Sequence, residues 1–200
     1  SFPTRRSSDL EKSKKSADDP PAIFVPVKPD ADAKYLAVRT VDLSALEPLV
    51  ALPDSVVNNS QPVGQAKGTR IDQAYIGSCA NGTQDDIELA ARVVKGRRVA
   101  SGIRFIVTPA SQTVYRDMVA SGAIQTLLEA GAMIAPPTCG ACGGGHMGVL
   151  GPDEVCITSS TRNFKGRMGD PSSQVWMASP ATVAASALTG FITDPREFLQ

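Results

Sequence analysis

The sequence predicts an α/β fold: a three-layer α/β/α domain on a largely parallel sheet over residues 70–200, preceded by an extended arm. Three observations point there. From Ile71 onward, short apolar runs suited to buried strands alternate with segments of helical period. Short loops join them, the pattern of strand–helix–strand units. The composition, 42% hydrophobic and 20% charged over 200 residues, is that of a globular chain with a real core.

The elements follow in order. Ser1–Leu10, "SFPTRRSSDL", resembles the translation of a sequencing-library adapter. It is read as non-native, with upstream sequence of the natural protein expected to be missing. Residues 11–69 are read as a polar lead-in and extended arm. Glu11–Pro21 is charged and lacks large apolar residues. Lys34–Leu43 alternates (Tyr35, Ala37, Arg39, Val41, Leu43) and predicts a strand; the Asn-, Gln- and Gly-rich Ser55–Thr69 predicts a loop. Ile71–Ser78 then reads as a buried strand. Ile87, Ala90, Ala91 and Val94 form a helical stripe, opened by a capping box of Thr83 with Asp86 and stopped at Gly96. Ile103–Pro109 is a second strand. Ser111 caps a helix with Tyr115, Met118 and Val119 on one face, ending at Gly122; Ala123–Gly131 is a shorter helix. Strands at Ala132–Ala135, Glu154–Ser160 and Ser173–Ser179 and an alanine-rich helix at Pro180–Leu188 complete the series.

Twenty basic residues balance twenty acidic ones, so nothing points to a nucleic-acid partner or an anionic membrane surface. No apolar run approaches the ~18 residues of a membrane span, and no secretory signal is apparent; a cytoplasmic setting is expected. Four cysteines in such a setting favour metal or catalytic use over a disulfide framework.

Ligands of parallel sheets gather at the carboxyl ends of the strands. "GSCANG", "PPTCGAC" and "TSSTRNFKGR" each follow a predicted strand, so three polar loops are expected to converge on one edge. Cys79 precedes a helix start, where a helix dipole favours the thiolate; a buried apolar role is the plainer alternative. Cys139 and Cys142 form C-x-x-C, with Gly140 between them and three glycines after them that leave room for a bulky group. From the residues, three uses stay open. Zinc could be held by Cys79, Cys139, Cys142 and His146. Cys139 and Cys142 could form a redox disulfide. Three cysteines could also hold an iron–sulfur cubane with one iron open. Cys156, the cysteine left over, lies in a strand-like run.

"YIGSCANG", "TCGACGGGHMG" and "TRNFKGRMG", in this order and spacing, resemble the aconitase superfamily. The likeness runs from about Asp30 to the C-terminus. It lies with the branch of 3-isopropylmalate dehydratase, homoaconitase and dimethylmalate dehydratase large subunits. It implies a hydro-lyase that dehydrates and rehydrates a small hydroxy-di- or tricarboxylate, with leucine biosynthesis the commonest setting. It implies a [4Fe–4S] cluster on Cys79, Cys139 and Cys142. It places substrate carboxylates on Arg162 and Arg167, whose guanidinium forks suit them. Ser78 and Asn81 flank Cys79 and are expected to steady the cluster's ligands by hydrogen bonds; Thr161 stands where many relatives have Asn near the cluster. No catalytic base is assigned here, and His146 is read as a bystander. The resemblance puts the base, a serine, on a swivelling domain that two-subunit members carry as a small subunit. Further acid and base groups come from earlier domains of the large subunit. The chain alone is expected to be inactive.

Overall fold

The computed structural model describes residues 27–55 and 57–199. The expected non-native terminus, Ser1–Leu10, and the polar lead-in, Glu11–Pro21, lie outside the described residues. The chain divides into two units, Ser1–Asp42 and Leu43–Gln200.

In the first unit, residues 27–42 form neither helix nor strand and are exposed throughout. The strand expected at Lys34–Leu43 is not formed. Alternation specifies a strand only where one face is buried and a neighbour supplies backbone partners. Here Leu36 and Val38 stand in solvent.

The second unit holds β1 (Leu49–Ala51), β2 (Ser60–Pro62), β3 (Gln73–Gly77), α1 (Gln84–Val94), β4 (Arg104–Thr108), α2 (Gln112–Ala120), α3 (Ala123–Ala130), β5 (Met133–Ile134), β6 (Val155–Thr158), β7 (Gln174–Ala178) and α4 (Pro180–Thr189). The seven strands form one sheet in the order β2-β1-β7-β6-β3-β4-β5. The five from β7 to β5 are parallel, as expected, and β1 runs antiparallel to both its neighbours. The segments read as arm and loop therefore contribute two short strands. Pro62 is tolerated because β2 is an edge strand.

The parallel strands are buried on both faces. Ala74, Ile76, Phe105, Val107, Ile157 and Trp176 face a core shared with the helices. Tyr75, Ile106, Cys156 and Val175, at the alternate positions, face a second and smaller core. Cys156 is fully buried there, as its sequence context predicts.

Topology explains the two cores. The steps from β3 to β4 and β4 to β5 cross the sheet one way, with α1, α2 and α3 covering one face. The steps from β5 to β6 and β6 to β7 run back the other way. A constant right-handed crossover therefore lays residues 135–154 and 159–173 on the opposite face. α4 returns to the first face and packs on α1 and β3. The second outer layer is thus loop with one 3-10 turn at Gly140–Gly143, not a helical layer.

Helix ends follow the sequence signals. Thr83 and Asp86 form the reciprocal capping box on α1, Ser111 caps α2 and Ser179 caps α4. Of the face expected on α2, only Met118 is fully buried and Val119 is exposed, because α2 lies at the margin of the helix layer.

Candidate functional site

Strand order reverses between β3 and β6: the loop after β3 turns to the helix face and the loop after β6 to the other. Such switch points open a crevice at the carboxyl edge of a parallel sheet. The β3 loop carries Cys79 and Asn81; the β6 loop carries Ser159 through Arg167. Asn81 Nδ2 donates to Ser159 O (2.5 Å), Ser159 Oγ donates to Asn81 O (3.3 Å) and Gly77 N donates to Ser159 Oγ (3.0 Å). Ser78 is buried with its backbone in a strained positive-φ conformation, and Ser78 N donates to Thr108 O (3.2 Å). Neither Ser78 nor Asn81 hydrogen-bonds a cysteine; both shape the turn around Cys79.

The loop leaving β5 brings Cys139 and Cys142 into the 3-10 turn on the second face. Gly140 N is held by Thr138 Oγ1 (3.0 Å). This loop abuts the arginine loop. Leu150 bridges Gly169, with Leu150 N donating to Met168 O (2.8 Å) and Asp170 N to Leu150 O (3.0 Å). A Cβ on Gly144 would reach 2.6 Å from Arg167 O. The glycines read as room for a bulky group thus divide: Gly140 and Gly144 are needed for close approach to protein atoms, whereas nothing lies within 4 Å of a Cβ on Gly145.

The four thiols are free, and they differ in exposure. Cys79 and Cys139 are exposed, Cys142 is half-buried and Cys156 is buried. Burial pushes the Cys156 thiol up to about 12. Among the described residues, no three of His, Cys, Asp and Glu converge closely enough to hold one metal ion. A ready-formed single-ion site on Cys79, Cys139, Cys142 and His146 is therefore not part of this structure. His146 is exposed on the cysteine loop.

Arg162 and Arg167 are both exposed, and among the described residues neither guanidinium meets a carboxylate. Arg162 Nη1 instead donates to Thr161 O (2.8 Å) and Thr161 Oγ1 (3.3 Å). Between the β3 and β6 loops and the start of α4 lies an open cavity of about 410 Å³ whose walls include Asn81, Ser160, Thr161 and Ser179. A cleft of similar size between α1 and the α2–α3 junction is remote from every cysteine.

Three supporting side chains were not legible in the sequence. Asn163 is buried and ties the arginine loop to the exit of β1, with Nδ2 donating to Leu52 O (2.5 Å) and Ser55 O (2.9 Å). Gln73 and Tyr75 project from β3 to the cysteine loop, Gln73 Nε2 donating to Gly148 O (2.8 Å) and Tyr75 Oη to Cys139 O (3.4 Å). The two-residue spacing of Gln73 and Tyr75 was the one available signal, since it puts both on one face of the strand.

Comparison with known proteins gives the family. The model of the aconitase family (aconitate hydratase) matches residues 54–190. A 3-isopropylmalate dehydratase large subunit of Mycolicibacterium smegmatis is 58% identical over 87% of this chain and 41% of its own length. One from Methanopyrus kandleri is 53% identical over the same shares. A homoaconitase large subunit of Thermus thermophilus is 50% identical over 84% of this chain and 40% of its own. The chain thus spans about two fifths of the length of these relatives. The family match covers both cysteine loops, the arginine loop and the parallel sheet that carries them, and the chain belongs to the aconitase family.

Proposed function

We propose that this chain is the cluster-bearing part of the large subunit of a hydro-lyase. The reaction is reversible loss and readdition of water on a small hydroxy-di- or tricarboxylate. 3-Isopropylmalate is the first substrate to test, with leucine biosynthesis in the cytoplasm as the setting. The observation that carries this reading is the division of the cysteines: two exposed and one half-buried thiol in the loops leaving β3 and β5 against one sealed in the core.

That donor set fits a [4Fe–4S] cluster on Cys79, Cys139 and Cys142. The three are thiols of the kind that ligate iron, unpaired by any disulfide and reachable from solvent. Three protein ligands leave one iron of a cubane open, and when bound that iron supplies a Lewis acid for the substrate's hydroxyl and a carboxylate.

The chain's own residues supply the rest of the binding surface. Arg162 and Arg167 present guanidinium forks that can donate bidentately to carboxylates. Asn81, by bonding to Ser159, holds the Cys79 loop against the loop that carries both arginines. Ser78 fixes the sharp turn after β3. The group that removes the proton beside the carboxylate is proposed to lie outside this chain, on a small swivelling subunit, with further acid and base groups in other domains of the large subunit. The chain alone is then expected to bind the cluster and turn over little substrate.

Anaerobic reconstitution with iron and sulfide tests the reading. A brown protein with broad visible absorbance is expected. A colourless protein holding one tightly bound zinc would overturn it in favour of a zinc module, and a Cys139–Cys142 disulfide with no iron uptake would favour a redox module. Substrate choice among isopropylmalate, homocitrate-type, citrate-type and methylated malates is read by assaying the cluster-loaded large subunit with its small subunit on each acid.

A further inference from the structure

Tyr75 is a large side chain with no exposed surface, set in the middle of β3. A buried phenol hydroxyl needs polar partners. Its one backbone partner belongs to the C-x-x-C turn: Tyr75 Oη donates to Cys139 O (3.4 Å). Thr108 Oγ1 lies beside it, buried and short of a well-aligned hydrogen bond. Between the two cysteines, the hydroxyl occupies the space beneath Gly140. A Cβ on Gly140 would overlap Tyr75 Oη and lie 3.1 Å from Thr108 Oγ1, and Gly140 also has a positive φ of 51°. The glycine inside the motif and the tyrosine on the strand are thus complementary in shape.

Tyr75 also stands on the strand that leads directly into Cys79. β3 is central in the sheet, paired in register with β4 (Tyr75 opposite Ile106) and with β6 (Tyr75 opposite Thr158). One rigid strand therefore bears one cysteine covalently and reaches the turn of the other two through a single hydroxyl.

We propose that Tyr75 is a positioning residue that sets the C-x-x-C turn in register with Cys79, so that the three thiols reach one cluster. The proposal rests on the cluster reading given above. A phenylalanine at this position fills the same space and keeps the ring packing, and it releases the turn.

The test uses the full 200-residue chain, reduced and anaerobic, in wild-type and Tyr75→Phe forms. The first readout needs no cluster: iodoacetamide labelling rates of each cysteine before iron is added, resolved by peptide mass spectrometry. Cys142, half-buried, is expected to react roughly three- to tenfold faster in Tyr75→Phe, the change in an opening equilibrium on losing one neutral hydrogen bond, while Cys139, already exposed, is expected to change less. Cys79 is expected to keep its rate, and Cys156 to stay protected. Gly140→Ala, whose Cβ displaces the hydroxyl while the ring remains, is expected to give the same acceleration. It stands in if Tyr75→Phe does not fold. The second readout, after reconstitution, is loss of the visible absorbance in air, expected to be roughly three- to tenfold faster in Tyr75→Phe.

Unchanged labelling of Cys142 overturns the proposal. So does equal acceleration of Cys79, which would mean general loosening and no defined anchor. Failure of the wild-type chain to take up iron would instead overturn the cluster reading, while the labelling rates still decide whether Tyr75 anchors the turn.

Discussion

Replacing Gln73 with leucine is expected to destabilise the chain by about 1–4 kcal/mol, chiefly through loss of the contact that pins the far end of the cysteine loop. Gln73 has no exposed surface and sits at the start of β3. Its Nε2 donates to Gly148 O (2.8 Å) and its Oε1 accepts from Arg104 Nε (3.0 Å). Arg104 in turn makes a bidentate pair with Glu154 (2.7 and 2.6 Å), whose Oε2 accepts from Gly151 N (2.8 Å). Leucine is of similar volume, so no large cavity results. These hydrogen bonds are lost, with the weak one from Gln73 Nε2 to Cys156 Sγ (3.7 Å), and the Gly148 carbonyl loses its partner in the interior at a cost of about 1–3 kcal/mol. The Arg104 side is partly solvated, its side chain 39% exposed, so water recovers most of that loss and about 0–1 kcal/mol is added. For a chain of this size, the sum corresponds to a fall in Tm of roughly 2–16 °C. Urea unfolding followed by far-UV circular dichroism reads it: the midpoint is expected to fall with the slope unchanged. A loss under about 0.5 kcal/mol would mean that the loop is held elsewhere and that the network is ornamental.

Two further outcomes are expected. The hydrogen bond from Arg104 holds the Glu154 carboxyl below its ordinary 4.5, against an opposing effect of burial. A carboxylate depressed on folding contributes stability that is full above its unfolded pKa and is lost as pH falls through the folded value. Stability in urea is therefore expected to fall as the pH drops below 4.5, and Glu154→Gln to be less stable at neutral pH with a flatter acid limb; acid limbs of equal slope would refute this. For the cysteines, Cys156, fully buried and pushed up to about 12, is expected to resist alkylation until the chain unfolds. Cys156→Ala is expected to leave iron uptake intact, whereas Cys79→Ala, Cys139→Ala and Cys142→Ala each lower it. Loss of iron in Cys156→Ala would contradict the division between core and functional-edge thiols.

The sequence by itself determined the elements with strong local signals. α1 is specified by its apolar stripe and capping box, α4 by its alanine-rich run from Pro180, and β3, β4 and β6 by short apolar runs bounded by turn residues. With the family resemblance added, it also separated Cys156, in a strand run, from three cysteines in glycine-containing loops. β1 and β2 were not legible: each is three residues long, and β1 is a strand only because β7 and β2 supply its partners. The same dependence undoes the strand expected at Lys34–Leu43, whose alternation finds no pairing among the described residues.

What only the tertiary structure decided is how the loops meet. The reversal of strand order between β3 and β6, and the hand of the crossovers, send the cysteine and arginine loops across the face away from the helices. No local pattern encodes that choice. Nor does sequence spacing show that Gln73 and Tyr75 hold the cysteine loop at its two ends, or that Gly140 is small because a hydroxyl from 65 residues upstream lies beneath it. Periodicity and capping act between residues a few positions apart and can be read along the chain. The placement of the thiols depends on contacts between distant segments that exist only once the sheet has assembled.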